Sequence, residues 1–288
     1  MATRQIRDLA WCLHSPSLAA EDTFYPGDPW FRALNAPTEV AADFPAPPDA
    51  HHFRLGQHFE RLWQYWFEHD ASTRLVAANL QVREGKRTVG EFDFLVERED
   101  GVEHWEVAVK FYLGRSPTAD LRHWYGPNTT DTLAGKLGRL REHQLLLGGM
   151  PAAEALLRER DITLERVRGI IKGRLFYPWP DFIRGDCLPP FEINPDHERG
   201  WWMSQAEFTN HDWQGAQFMR LTKRWWLAPI QAAEAEPVSR DAIIEGFRQP
   251  RSEQATHVAV LDDGAERHRG FIVNDAWLQR AKINVGGV

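Results

Sequence analysis

Two periods of apolar spacing alternate along this 288-residue chain, and each change of period marks a predicted element. In "RLGQHFERLWQYWFEHD" (54–70), Leu55, Phe59, Leu62 and Trp66 recur at helical spacing, with Trp63 and Phe67 beside them. That pattern predicts an amphipathic helix. Glu60 lies on the Gly56–Glu60–Trp63–Phe67 flank, at the margin of the apolar stripe. Residues 74–82, "RLVAANLQV", predict a strand closed by the turn signal "REGK". "EFDFLVE" (91–97) alternates, which places Glu91 and Asp93 on one face and Phe92 and Phe94 on the other. "REDG" predicts a hairpin turn, and "WEVAVKFYL" (105–113) is the returning strand, apolar enough to be buried on both faces. "TDTLAGKLGRLREHQLLLGG" (130–149) predicts a helix with Leu133, Leu137, Leu140, Gln144 and Leu147 in one stripe. Thr130 or Asp131 can cap its start, and Gly148-Gly149 stops it. Residues 151–165 predict a further helix, and "GIIKGRLFYPW" (169–179) a further strand.

The flanks are less regular. A helix is predicted over 3–13, followed by a loop holding "FYPGDPW", and "NAPTEVAADFPAPPDA" (35–50) reads as a linker or strap. His51-His52 would open the next helix. Trp201-Trp202 and Trp225-Trp226 suggest strands, "APIQAAEAEPVSRDA" a loop or linker, and "HVAVLDDGAERHRGFIV" a hairpin before a last helix capped near Asn274. The order of elements implies an α/β fold in which a mixed central sheet is flanked by helices. Three segments follow: a helical arm with linker (1–50), a core (51–185) and a C-terminal β-containing extension packed on it (186–288).

At 43% hydrophobic and 26% charged residues the composition is that of a soluble globular protein. No stretch has the length of a membrane span, and the first twenty residues lack an apolar signal core. Only Cys12 and Cys187 are present, so neither a disulfide framework nor a zinc spacing exists. A cytoplasmic, bacterial-type protein is the expectation. The net charge of −7 argues against a general nucleic-acid coat. Charge is unevenly spread, however. Residues 91–106 carry seven acids and one base, whereas 136–174 carry nine bases and five acids. An acidic pocket beside a basic shelf suits a metal site that meets a phosphate backbone; alternating solvated faces would also produce it.

Glu106 and Lys110 stand out because ionised side chains are seldom buried unpaired. Along a strand Glu106, Ala108 and Lys110 point the same way, and Asp93 can join them from the neighbouring strand. Two carboxylates can hold Mg²⁺ or Mn²⁺ while waters complete the shell. The ion activates a water, and an ammonium orients it or stabilises developing charge. Two acids and a lysine are what metal-assisted phosphodiester hydrolysis requires. Lys136, Arg139 and His143 cluster on one side of their helix, where they can hold a phosphate or form a solvated face. Gln144 is either a buried amide bonded to backbone or a site residue facing the sheet. The thirteen Trp fit core packing better than base stacking, and the twelve His show no ligand spacing. No phosphate-binding loop, dinucleotide fingerprint or serine-nucleophile elbow occurs.

"GEFDFLV", followed by a turn and a strand ending in Lys110, resembles the PD-(D/E)XK nuclease superfamily. The wider pattern "RLGQHFERLW", "GEFDF", "WEVAVKFYL", "GPN" and "KLGRLREHQ" is similar to a bacterial family known as domain of unknown function 1853, which is grouped with those nucleases. The resemblance implies a restriction-endonuclease-like αβββαβ core over about 52–178. It also implies Asp93 and Glu106 as metal ligands, Lys110 as catalytic lysine, and Glu91 and Glu60 as helpers on one or two ions. DNA is the expected substrate, RNA the less favoured one. One position departs from the pattern. The superfamily's second acid stands two residues before the lysine, where this chain has Ala108. Glu106 and Lys110 have Cα atoms roughly 13 Å apart on a straight strand. Either Glu106 reaches in, helped by a bulge, or Glu91 substitutes, or the site is dead. The alternatives in function are a silent nuclease fold that binds nucleic acid or a protein, and a purely structural interaction protein.

Overall fold

Thr3 accepts a hydrogen bond from the Ile6 amide and so caps the first helix, α1 (Arg4–His14). The computed structural model describes residues 3–39, 41, 44, 53–248 and 255–283. Most of the expected strap, and the helix start at His51-His52, lie outside the described residues. The helices α2 (Asp28–Arg32) and α3 (Leu55–His69) follow. Three long strands follow: β1 (Arg74–Glu84), β2 (Arg87–Arg98) and β3 (Gly101–Gly114). Next come the short β4 (Trp124–Tyr125), α4 (Leu133–Arg139), α5 (Pro151–Glu159) and the long β5 (Leu164–Pro178). The remainder is α6 (Trp179–Arg184), β6 (Glu198–Ser204), α7 (Gln205–Asn210), β7 (Gln217–Arg220), α8 (Arg240–Phe247), β8 (Ala255–Asp262), β9 (Ala265–Val273) and α9 (Asp275–Ile283). The chain is α/β with a mixed sheet and flanking helices, as the periodicity predicts.

Two compact units divide it: residues 1–110 with 135–172, and 111–134 with 173–288. These cuts differ from the segment boundaries at 50 and 185 because β3 and β5 each begin in the first unit and end in the second.

In the first unit the strand order is β1-β2-β3-β5, with β1–β2 and β2–β3 antiparallel. The aromatic stripe of α3 packs on one side. Phe67 lies 4.9 Å from Trp105 and 5.2 Å from Phe94, ring centre to ring centre, and Trp63 lies 5.8 Å from Trp105. On the other side Phe92 and Leu95 join Val82, Leu147, Ala153 and Leu157. Phe92 and Phe94 therefore do not share a face, and strict alternation fails between them. The cause lies opposite. Asn79 adopts φ 51, and the β1–β2 register steps from Leu80↔Phe92 to Ala78↔Phe94 without an Asn79–Asp93 pair. A left-handed residue twists its strand locally.

The helix expected over 130–149 is shorter and mixed. It starts at Leu133, past the proposed caps, and after Arg139 widens into a π turn over Leu140–Gln144, where the Leu145 amide donates to the Leu140 carbonyl at 2.9 Å. The extra residue in that turn lets Leu140 and Leu145 both be buried.

In the second unit β5, β6 and β9 run parallel, and β8 pairs antiparallel with both β9 and β7. The expected hairpin is β8–β9, and Asn274 accepts the Trp277 amide at 3.0 Å to cap α9. Trp201-Trp202 sit in β6. Trp225-Trp226 do not form a strand: they lie at a 3₁₀ turn begun at Thr222. Buried Arg269 explains the turn, since it donates to the carbonyls of Trp226 at 2.7 Å and Ala228 at 3.2 Å. The segment's carbonyls point at a guanidinium rather than a neighbouring strand. Within the expected 228–242 loop, α8 starts at Arg240, with Ser239 as its cap. Among the described residues no helix is long and apolar enough to cross a membrane.

Candidate functional site

The β2–β3 ladder runs from Arg98↔Gly101 to Phe94↔Trp105, and there the backbone pairing hands over to a side chain. The Val107 amide donates to Asp93 Oδ2 at 3.0 Å. A side chain that takes a ladder amide satisfies the backbone while the strands separate. The irregularity at Asn79 and the end of the ladder thus coincide at Asp93, and Glu106 stands beside it on β3. Both belong to the first unit.

Glu106 is almost completely buried, with both oxygens engaged. Gln144 Nε2 donates to Oε2 at 2.7 Å, and His104 Nε2 is 3.2 Å from Oε1. Gln144 Oε1 in turn accepts from Lys136 Nζ at 3.2 Å. One amide therefore bridges an ammonium and a carboxylate. The π turn delivers it: Gln144 is the last residue of that turn, and such bulges recur at functional sites. Gln144 thus bonds the side chains of Lys136 and Glu106, the latter on the sheet, rather than backbone.

Burial dominates the electrostatics. It pushes the Asp93 carboxyl up to about 7, helped by the charge of Glu106 and opposed by the Val107 amide, His104 and Lys136. Glu106 is likewise pushed up to about 7 by burial, against the pull of Lys136 and hydrogen bonds with Asp93. Glu60, half-buried on α3, also rises to about 7, through burial first and then the charges of Asp93 and Glu91. Lys136 opposes that shift too. Like charges crowded into a low dielectric each disfavour ionisation of the others. His104, fully buried, moves the opposite way, to about 4. It is a neutral imidazole at pH 7. Beside an ionised Glu106 its Nε2 carries the proton, and Nδ1 has no hydrogen-bond partner.

The expected residues thus separate into groups. Asp93, Glu106, Glu60 and Glu91 share one electrostatic field. Lys110 and Ala108 are half-buried further along β3. Arg139 and His143 are exposed, whereas Lys136 from the same helix is half-buried and engaged with Gln144. Sequence reasoning missed His104, although its signal was available: a position two residues before Glu106 on the same strand face.

The donor set can be compared with Mg²⁺. Among the described residues no three Asp, Glu, His or Cys side chains converge as a metal-holding group. Mg²⁺ commonly takes only one or two carboxylates and keeps several waters. Asp93 and Glu106 supply two hard oxygen donors, and a divalent cation would offset the cost of ionising carboxyls that burial first, and neighbouring acids second, lift to about 7. The chemistry of the donors fits a two-carboxylate site and not a closed cage.

Residues 7–273 match the model of the family described as Domain of unknown function (DUF1853), and the chain belongs to that family. Comparisons with curated proteins and with solved structures give no match.

Proposed function

We propose that this member of the DUF1853 family is a metal-dependent nuclease with a restriction-endonuclease-like core, cutting phosphodiester bonds of DNA and less readily of RNA. The single observation that carries the reading is the meeting of Asp93 and Glu106 where the β2–β3 ladder ends, in a cluster whose carboxyls rise to about 7. The order α3, β1, β2, β3, α4, β5, with the short β4 and α5 inserted on either side of α4, supports it, and a cytoplasmic setting suits the two free thiols, Cys12 and Cys187.

Asp93 and Glu106 would hold Mg²⁺ or Mn²⁺, which when bound activates water and offsets charge on a phosphoryl oxygen. The protein's own groups do the rest. Gln144 and His104 fix the Glu106 carboxylate in one orientation, so that no reorganisation is needed during the reaction. Glu60, half-buried in the field of Asp93 and Glu91, would take the proton of the attacking water. The water oxygen bonds to phosphorus, the phosphorus–ester oxygen bond breaks, and the leaving oxygen takes a proton from solvent. Lys110 stabilises charge on the phosphate, and Lys136, Arg139 and His143 meet the nucleic-acid backbone.

A second reading has its own support. Position 108 carries alanine, and both Glu106 oxygens are already held by the protein. A silent nuclease fold that binds nucleic acid or a protein would look the same. Incubating the protein with supercoiled plasmid, single-stranded DNA and RNA in Mg²⁺ or Mn²⁺ separates the two. Cleavage that Asp93→Asn abolishes supports the nuclease. Binding without cleavage in either metal would leave the silent fold.

A further inference from the structure

The site's cation comes from an unexpected element. Glu106 and Lys110 are separated by four positions of an extended strand, whereas Lys136 Nζ reaches Glu106 through one side chain. Its 3.2 Å bond to Gln144 Oε1 and the amide's 2.7 Å bond to Glu106 Oε2 form a continuous polar path. Lys136 sits in the last turn of α4, and the π turn that follows brings Gln144, eight residues on, back to the same ammonium. A regular helix would rotate positions 136 and 144 about 80° apart. The extra residue of the π turn moves Gln144 relative to its helix, which gives that irregularity a purpose. Lys136 is half-buried, and its ion-pairing worth is therefore larger than that of a solvated lysine.

We propose that Lys136, delivered from α4 rather than from strand β3, is the lysine that serves the carboxylate site, with Gln144 as the positioning residue that ties it to Glu106. The inference rests on the nuclease reading above and changes which lysine meets the scissile phosphate. The charge of Lys136 acts on Glu60, Asp93 and Glu106 alike, which agrees with a central position. It also accounts for a strand that departs from the usual acid-x-lysine spacing. If the lysine has moved to the helix, the acid on β3 need not stand two residues before position 110. Ala108 then requires no substitute, and Glu106 requires no bulge to reach Lys110. Arg139 and His143, exposed on the same segment, remain for flanking phosphates.

The test compares Lys136→Met, Lys136→Arg and Lys110→Met in the full chain by two readouts: plasmid cleavage in Mg²⁺ and Mn²⁺ affinity by calorimetry. Lys136→Met should lose about 100-fold in cleavage rate, the order typical for one lost electrostatic stabiliser. Its Mn²⁺ affinity should rise by roughly 10-fold, because a competing positive charge has gone. Lys136→Arg should recover part of the rate, and Lys110→Met should lose less of it than Lys136→Met does. A lysine that only supports the fold would weaken metal binding and cleavage together, and that result would overturn the assignment. So would a collapse of cleavage in Lys110→Met with Lys136→Met active. If the wild type binds Mn²⁺ without cutting, the nuclease reading fails, yet tighter Mn²⁺ binding in Lys136→Met still supports the placement of the charge. Equal Mn²⁺ affinity in wild type and Lys136→Met would sink it.

Discussion

Two clusters of buried charge, one in each unit, are treated in opposite ways. In the second unit the Arg269 guanidinium donates to Glu266 Oε2 at 2.6 Å and to three backbone carbonyls. Glu266 also accepts the Ile230 amide at 2.9 Å. Burial raises the Glu266 carboxyl, but Arg269 outweighs it, and the group ends below its ordinary value. Arg174 is paired with Glu198 at 2.6 Å. Glu266 and Glu198 each have a guanidinium in direct contact. In the first unit Asp93, Glu106 and Glu60 end well above their ordinary values, and Lys136 opposes the shifts without cancelling them. Charge that only holds a fold is matched locally. Charge left in excess weakens the native state, and the proposed divalent cation would supply the missing countercharge.

The largest effect expected from this contrast is in the matched network. Arg269→Ala leaves Glu266 buried without its partner and should cost about 3–5 kcal/mol of stability, measured by urea unfolding. A loss below about 1 kcal/mol would mean that water compensates the pair and the contrast is overdrawn.

A smaller effect of opposite sign is expected at the crowded site. With its folded-state carboxyl up at about 7, Glu106 keeps a proton that the unfolded chain has lost. Its contribution to stability therefore falls as pH rises from about 4.5 through about 7, and stays low above. Glu106→Gln retains groups that can bond Gln144 and His104 but sheds the charge. In metal-free buffer it should be more stable than the wild type at pH 8 by about 1–3 kcal/mol, with the advantage gone at pH 5. His104, held down near 4, acts the other way, its contribution being lost as pH falls from about 6.5 through about 4. Both variants contain it, so the difference reports the Glu106 charge together with its effect on Asp93. A pH-independent difference would remove the claim of crowding.

The smallest effect concerns the exposed cations. Arg139→Ala with His143→Ala should leave the melting temperature nearly unchanged. Loss of the Arg139 phosphate contact should flatten the salt dependence of DNA binding by about one unit of slope. An unaltered slope would return both residues to a solvated helix face.

Much of this was legible in the sequence because periodicity reports burial directly. The stripe of α3, the β2–β3 hairpin, the β8–β9 hairpin and the cap at Asn274 all lie where spacing puts them. What escaped depends on single backbone irregularities. Nothing in "RLVAANLQV" announces that Asn79 turns left-handed and parts Phe92 from Phe94. The π turn at 140–144 likewise hides inside a regular leucine stripe, so Gln144 could be suspected but not placed. Trp225-Trp226 looked like a strand because their partner, Arg269, is distant in sequence and sets the local turn through carbonyls. At the site, Asp93 and Glu106 were readable as acids on facing strands. His104 could have been read by the same alternation, while the link from Lys136 needed the fold.

The central claim is that the Asp93–Glu106 cluster binds a divalent cation, and a Mn²⁺ titration of the metal-free protein followed by thermal unfolding tests it most directly. An ion that binds only the native state stabilises it by mass action, by about 2.7 kcal/mol at one hundred times its dissociation constant. The wild type should melt several degrees higher as Mn²⁺ is added, and Asp93→Asn should show no rise. An equal rise in Asp93→Asn, or none in the wild type, would contradict the account.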